Sequence, residues 1–294
     1  MVFINTEGKF NKNTYLIDGH LFGNKGNLAI YVIENNGNRM MIDTSEEVRV
    51  KSTVSKLKKF GIYPIHKIFL THSHWDHVDC VNELKRIMKE TKIEVIASKN
   101  AIDNLKNPEK MNSVFNENVK PIEVDTALKE GNIIDLNGLK LKVMEFYGHT
   151  MDSIALFDKK NKNIFVGDAI IDKSSIYYSQ PVFMPPDFHE LELLNTFEKL
   201  KEMKHELNSI SLAHYGVWTG EDFDNILIEM EDLHFKAKKS FINWYNENLS
   251  IRDMAINYHK EFIPKSKIIE KGYINFLEMQ ITWLLEGLKR SGFI

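Results

Sequence analysis

The stretch Thr71-His72-Ser73-His74-Trp75-Asp76-His77 gathers three imidazoles and a carboxylate directly after the apolar run Ile68-Phe69-Leu70. Imidazole nitrogens and carboxylate oxygens are common ligands of zinc and other first-row divalent metals, and neither an apolar core nor a solvated loop needs four of them together. Spacing adds to type. In extended chain alternate side chains point the same way, so His72 and His74 can converge on one ion. Asp76 and His77 follow as the chain turns out of its strand and can reach a second ion close by. Two divalent ions sharing a water lower its pKa toward neutrality, and the hydroxide so formed attacks an electrophilic carbonyl or phosphorus. Asp76 is the side chain placed to be both ligand and proton handler.

A binuclear site needs more ligands than this loop holds, and three other strand ends offer them. Gly148-His149-Thr150 follows a strand ending at Phe146, Gly167-Asp168-Ala169 follows Ile164-Phe165-Val166, and Ala213-His214-Tyr215-Gly216 follows Ile210-Ser211-Leu212. Each sets one ligand-capable residue beside a small one where a strand ends, the usual place for sites in layered α/β folds. Asp43 ends a strand expected beside the metal strand and is a candidate to orient the histidines, with a helix cap as the alternative. His189 reads as a helix-start residue, and His20, His66, His205, His234 and His259 as surface or core. Cys80, the single cysteine, reads as a small buried apolar residue. Trp75, Tyr147, Tyr177, Tyr178, Tyr215 and Trp218 lie near ligand positions in the chain and are candidates for a pocket wall.

The elements that must carry these groups follow from periodicity. Leu28–Ile33 and Arg39–Asp43, joined by Asn35-Asn36-Gly37-Asn38, predict a β-hairpin. Thr44 or Ser45 is expected to cap a helix bearing Val50, Val54 and Leu57, ended at Gly61. The strand Lys67–Leu70 delivers the metal loop, and a helix with the stripe Val78, Val81, Leu84 and Met88 is expected to begin just past His77. Strands are expected at 93–97, 133–136, 139–146, 153–157, 163–166 and 209–213, the last of the series. Helices are expected around 100–105 and around Leu193, Phe197 and Leu200, and a surface loop over 107–119. Beyond Gly220 three amphipathic helices follow. They carry Ile226, Met230, Leu233, Ala237, Phe241 and Trp244, then Ile251, Met254, Ala255 and Tyr258 behind the cap Ser250, then Ile274, Leu277, Ile281, Leu284 and Leu288. Their stripes predict either pairing of two subunits, a homodimer through the C-terminal helices, or closure over the active site.

Composition narrows the class. The chain of 294 residues is 43% hydrophobic and 27% charged, as ordinary globular proteins are. Its net charge of −3 offers no general attraction to nucleic acid or anionic membrane, so neither is expected as a partner. One cysteine permits no intrachain disulfide. The first residues lack a basic segment followed by an apolar one, and no apolar run reaches membrane-spanning length, so a soluble, cytoplasmic protein is expected.

The segments together resemble the metallo-β-lactamase fold superfamily over Leu28 to about Gly220. His72-Ser73-His74-Trp75-Asp76-His77 matches its His-x-His-x-Asp-His signature, and Gly148-His149-Thr150-Met151-Asp152-Ser153 resembles its Gly-His-Thr-x-x-Ser segment. Asp168 and His214 stand where that family has its bridging aspartate and last histidine. The resemblance implies an α/β (α+β) fold, a four-layer αβ/βα sandwich of two mixed sheets with helices outside, formed by residues 1–220 and followed by a helical extension over 221–294. It implies metal one on His72, His74 and His149, metal two on Asp76, His77 and His214, and Asp168 between them. The two ions are expected to be zinc, with iron or manganese as alternatives. Within the superfamily the chain looks most like the glyoxalase II-like hydrolases, which also carry a helical segment after the last histidine. The activity expected is hydrolysis of a small-molecule ester, thioester or lactone.

Other classes share parts of this pattern. A mononuclear-iron persulfide dioxygenase would use only His72, His149 and Asp168. A flavin-partnered di-iron oxygen reductase needs a carboxylate where this chain has His74. An RNase Z-like phosphodiesterase is disfavoured by the net charge and the lack of a basic stretch. β-Lactam hydrolysis is disfavoured by the lack of an export signal. Lactonases of this fold place a tyrosine soon after the bridging aspartate, where Ile170, Ile171 and Asp172 stand here.

Overall fold

The computed structural model describes residues 3–170 and 180–294. The strands, in chain order, are β1 (Phe3–Ile4), β2 (Gly8–Lys9), β3 (Thr14–Asp18), β4 (Ala29–Asn35), β5 (Asn38–Ile42), β6 (Lys67–Phe69), β7 (Glu94–Ser98), β8 (Thr126–Leu128), β9 (Ile133–Leu136), β10 (Leu139–Glu145), β11 (Ile154–Asp158), β12 (Asn163–Phe165), β13 (Ser209–Leu212) and β14 (Gly216–Thr219). They form two seven-stranded sheets, ordered β1-β14-β13-β12-β11-β10-β9 and β2-β3-β4-β5-β6-β7-β8. Both sheets are mixed. In the first only β12 and β13 run parallel, and in the second β5 through β8 do. The helices are α1 (Val50–Lys59), α2 (Trp75–Val78), α3 (Val81–Ile87), α4 (Ala101–Lys106), α5 (Glu109–Phe115), α6 (Glu190–Glu202), α7 (Gly220–Asn246), α8 (Ile251–Phe262) and α9 (Ile274–Arg290).

Side-chain alternation along the strands builds the layers. On β4, Ala29, Tyr31 and Ile33 enter the core between the sheets, where they meet Leu141, Val143, Leu156 and Phe165. Ile30 and Val32 point the other way, into a second core under α1, α3, α4 and α5 with Val54, Leu57, Val81, Leu84 and Phe115. On β11, Ala155 and Phe157 face outward into a third core with Phe197 of α6, Met230 and Phe241 of α7, Tyr258 of α8 and Leu284 of α9. This is the expected αβ/βα sandwich of two mixed sheets with a helical segment at its C-terminal end. The helical stripes Ile226, Met230, Phe241, Leu277, Ile281 and Leu288 are buried within the chain and need no second subunit to cover them. No described helix is long and apolar enough to cross a membrane.

Several local expectations are corrected. The segment expected as a loop over 107–119 contains α5, whose Met111 and Phe115 are buried one turn apart in otherwise polar sequence. Helix α2 starts at Trp75, before His77, with His74 at its N-cap. The strand series does not end at Ala213: β14 follows and pairs with β13 and with the N-terminal β1. Neither Thr44 nor Ser45 caps α1, which is entered through a short 3₁₀ turn with Arg49 as its N-cap. Instead the Thr44 hydroxyl donates to the His77 carbonyl and the Ser45 hydroxyl to that of Gly19. The caps expected at His189 and Ser250 are present.

Candidate metal centre

Parallel β5 and β6 end at the same edge of the second sheet, and parallel β12 and β13 at the facing edge of the first. Asp43, the His72–His77 loop, Asp168 and His214 therefore emerge together. The Ala29 amide donates to the Ala213 carbonyl at 2.7 Å, joining the sheets at this edge. His149 arrives from the loop after β10. Gly148 before it holds φ +129°, and a Cβ there would lie 2.3 Å from the Leu193 Cα, so the loop can lie against α6 only as glycine.

All seven expected ligands meet here, in two groups. His72, His74, His149 and Asp168 form one, and Asp76, His77 and His214 the other. Asp168 Oδ2 lies between them, 3.8 Å from His72 Nε2, 3.4 Å from His149 Nε2, 3.4 Å from His77 Nε2 and 3.3 Å from His214 Nε2. Asp76 Oδ2 is 3.6 Å from His77 Nε2 and 3.4 Å from His214 Nε2. His74 Nδ1 is 2.9 Å from His149 Nε2. Two donors at ordinary zinc bond lengths in tetrahedral array stand about 3.4 Å apart, so most of these separations would suit atoms that share an ion.

Hydrogen bonds set the tautomers that ligation needs. His149 Nδ1 donates to the Val182 carbonyl, and His214 Nδ1 to that of Asn27, each at 2.9 Å. His77 Nδ1 donates to Asp43 Oδ2 at 2.9 Å. His72 Nδ1 lies 3.1 Å from the Thr71 hydroxyl, which itself donates to Asp43 Oδ2, so that hydroxyl accepts from His72. Each ring thereby keeps its proton on Nδ1 and turns the Nε2 lone pair inward. Asp43 also takes the Thr71 amide at 2.8 Å. It orients His77 directly and His72 through Thr71, and caps no helix.

The donor set fits a cation. His72 Nε2, His77 Nε2 and Asp168 Oδ1 are buried without a hydrogen-bond partner. Asp76 and Asp168 are buried, and among the described residues no lysine or arginine pairs with either. Uncompensated buried carboxylates are costly, and a cation among them removes the cost. Burial, then the neighbouring imidazoles, pushes His72 and His74 well below the usual histidine range, and burial lowers His149. At His77 and His214 burial also opposes charge, but Asp168 and Asp76 outweigh it and raise both. His214 and His77 hold Asp168 well below the carboxylate range against its burial. A divalent cation held by His77 and His214 would supply the positive charge that these raised values otherwise reflect.

The candidate wall is only partly as expected. Trp75 lines the cleft. Tyr215 is buried between the sheets, and Trp218 stacks on Phe3 at 4.2 Å on the outer face of the first sheet. The Tyr147 hydroxyl accepts from Asn100 at the surface, and Tyr177 and Tyr178 lie outside the described residues. The cleft is lined instead by Phe22, Phe115, Met184, Gln280 and Trp283, none of which stands beside a ligand in sequence. Cys80 is buried in the second core, and burial pushes its thiol far up, as suits a packing residue.

Fold and centre together define an αβ/βα sandwich with a His/Asp cluster at one edge of its sheets, and residues 24–214 match the metallo-beta-lactamase superfamily. The chain belongs to that superfamily. Among its relatives is a hydroxyacylglutathione hydrolase of Ruegeria pomeroyi, 27% identical over 135 residues, which are 46% of this chain and 44% of the relative. A 58-residue segment is 40% identical to the chicken acyl-coenzyme A thioesterase MBLAC2, covering 20% of this chain and 21% of that protein. The chain thus spans less than half the length of these curated relatives. A metallo-beta-lactamase family protein of Thermus thermophilus shares the fold, with a TM-score of 0.67 and 14% identity over 95% of this chain and 93% of that one.

Proposed function

We propose that the chain is a metal-dependent hydrolase acting on a small ester, thioester or lactone. His72, His74 and His149 would hold one divalent ion and Asp76, His77 and His214 a second, with Asp168 between them and zinc as the metal. The observation that carries this reading is Asp168 Oδ2, set 3.3–3.8 Å from four imidazole nitrogens drawn from three separate segments. Bound ions supply an ionisable water at neutral pH and an electrophilic seat for a carbonyl oxygen.

The chain's own residues do the rest. Asp43 and Thr71 keep His77 and His72 in the tautomers that face the centre. Asp76 reaches the cleft, where its carboxylate can take a proton from the attacking water and return it to the leaving oxygen or sulfur. The apolar rings at the mouth exclude bulk water, which strengthens every charge interaction inside. The relatives' names, a hydroxyacylglutathione hydrolase and an acyl-coenzyme A thioesterase, support a hydrolytic reaction class.

The test is elemental analysis of the purified protein with a panel of aryl esters, thioesters and lactones. About two zinc or mixed divalent ions per chain, with hydrolysis lost on chelation and restored by metal, is the expected result. One iron per chain, with oxygen consumed in the presence of a persulfide and no hydrolysis, overturns the reading.

A further inference from the structure

The tail supplies a wall of the cleft. Phe276, Gln280 and Trp283 of α9 recur at helical spacing on one face. Phe276 meets Phe22 at 5.3 Å, and Phe22 meets Trp75 at 5.5 Å on the loop that carries the ligands. Trp283 meets Phe115 at 5.2 Å, and Phe115 meets the His74 ring at 5.2 Å. Helix α9 thus touches both banks of the cleft, with Gln280 between them donating to Gln180 Oε1 at 3.0 Å. One turn on, a Cβ at Gly287 would lie 2.1 Å from the Phe183 carbonyl oxygen. The helix is therefore seated on the backbone next to Val182, whose carbonyl holds His149. The two banks and the helix form one packed unit with the metal centre.

The chemistry of this wall selects. Apart from the centre's own imidazoles and carboxylates, the described lining residues are apolar or neutral amides, and no lysine or arginine is among them. The room inside the cleft is narrow, about 50 Å³, so an arm entering it must be slender. Carriers bearing carboxylates or phosphates need cationic forks to hold them and lose hydration without recompense against aromatic walls. A hydrocarbon arm gains from the same walls.

On the reading of this centre as hydrolytic, we propose that the substrate is an uncharged, slender ester or lactone. Its hydrocarbon arm lies between Phe22 and Trp75 on one side and Phe115 and Trp283 on the other, and Trp283 of α9 is the residue that determines its size. Anionic carriers such as glutathione or coenzyme A would meet no cationic side chain among the described lining residues.

The test separates binding from turnover. Metal-loaded protein is titrated calorimetrically with N-hexylacetamide and with S-hexylglutathione, which carry the same arm on an uncharged and an anionic group. The amide is expected to bind about tenfold or more tightly than the glutathione conjugate. Trp283→Ala is expected to weaken it about tenfold, and Trp283→Phe to restore most of the loss. With phenyl hexanoate as substrate, Trp283→Ala should raise KM while leaving kcat and metal content near wild type. Tighter binding of S-hexylglutathione, or an unchanged amide affinity in Trp283→Ala, overturns the inference. Binding as expected with no turnover of any ester, thioester or lactone would instead overturn the hydrolase reading. Faster turnover of a glutathione thioester than of a neutral lactone would keep that reading and overturn this one.

Discussion

Asp43→Asn isolates the contribution of a residue that touches no ion. Asp43 sits at φ +57°, a conformation asparagine tolerates as well as aspartate, so the backbone is unstrained by the change. The carboxylate accepts from the Thr71 amide at 2.8 Å, the Thr71 hydroxyl at 2.8 Å and His77 Nδ1 at 2.9 Å. An amide keeps one oxygen and presents an N–H₂ group on the other side. With that group toward His77, the imidazole must move its proton to Nε2, the atom 3.4 Å from Asp168 Oδ2, and so lose the lone pair that would bind metal. With it reversed, the Thr71 amide is buried without its acceptor. A hydrogen bond to a charged acceptor contributes about 1.5–3 kcal/mol. At 1.4 kcal/mol per factor of ten this predicts a loss of about 10–100-fold in metal affinity, the usual range for such supporting residues. Competition against a chromophoric chelator at fixed pH measures it, with circular dichroism and Tm confirming that the fold is retained. Affinity within about twofold of wild type at both ions would refute the tautomer argument.

Three further outcomes follow from other parts of the structure. Gly148→Ala places a Cβ 2.3 Å from the Leu193 Cα at φ +129°; a loss of about 2–4 kcal/mol and of bound metal is expected, and a wild-type Tm with full metal content would contradict it. Tyr31 sends its hydroxyl to the Leu212 and Gly216 carbonyls at 2.8 and 2.9 Å, so Tyr31→Phe should cost about 1 kcal/mol, seen as a small fall in Tm at unchanged metal content. Burial alone would raise the Glu190 carboxyl, but Lys238 and His234 hold it below its ordinary value. A depressed folded pKa contributes stability above the unfolded value and loses it as pH falls through the folded one. Denaturant titrations should therefore show the wild type's advantage over Glu190→Gln shrinking below about pH 4.3; an advantage constant down to about pH 3 would show that the pair contributes nothing.

What was legible in the sequence and what was not divide along a physical line. His72, His74, Asp76, His77, His149, Asp168 and His214 could be found because their types are tied to a chemistry and each stands where an apolar run stops. Asp43 could be found because a strand end beside another strand end is a near neighbour in a parallel sheet. Proximity in sequence to a ligand misled for the aromatics. The turn between β13 and β14 sends Tyr215 into the core between the sheets and the short β14 carries Trp218 to the outer face, although both stand within four residues of His214. The residues that do line the cleft carry no local mark. Phe22 occupies a turn at φ +54°, Phe115 ends a helix hidden in polar sequence, and Trp283 lies beside the buried stripe of an amphipathic helix. Periodicity gives such a residue its angle on the helix but not the surface on which the helix docks. That surface depends on Gly287 fitting against Phe183, a contact between segments about a hundred residues apart, which no local pattern contains. Ligand chemistry is thus carried by short loops and can be read locally. Selectivity, carried by the docking of α9, becomes visible only when the chain is folded.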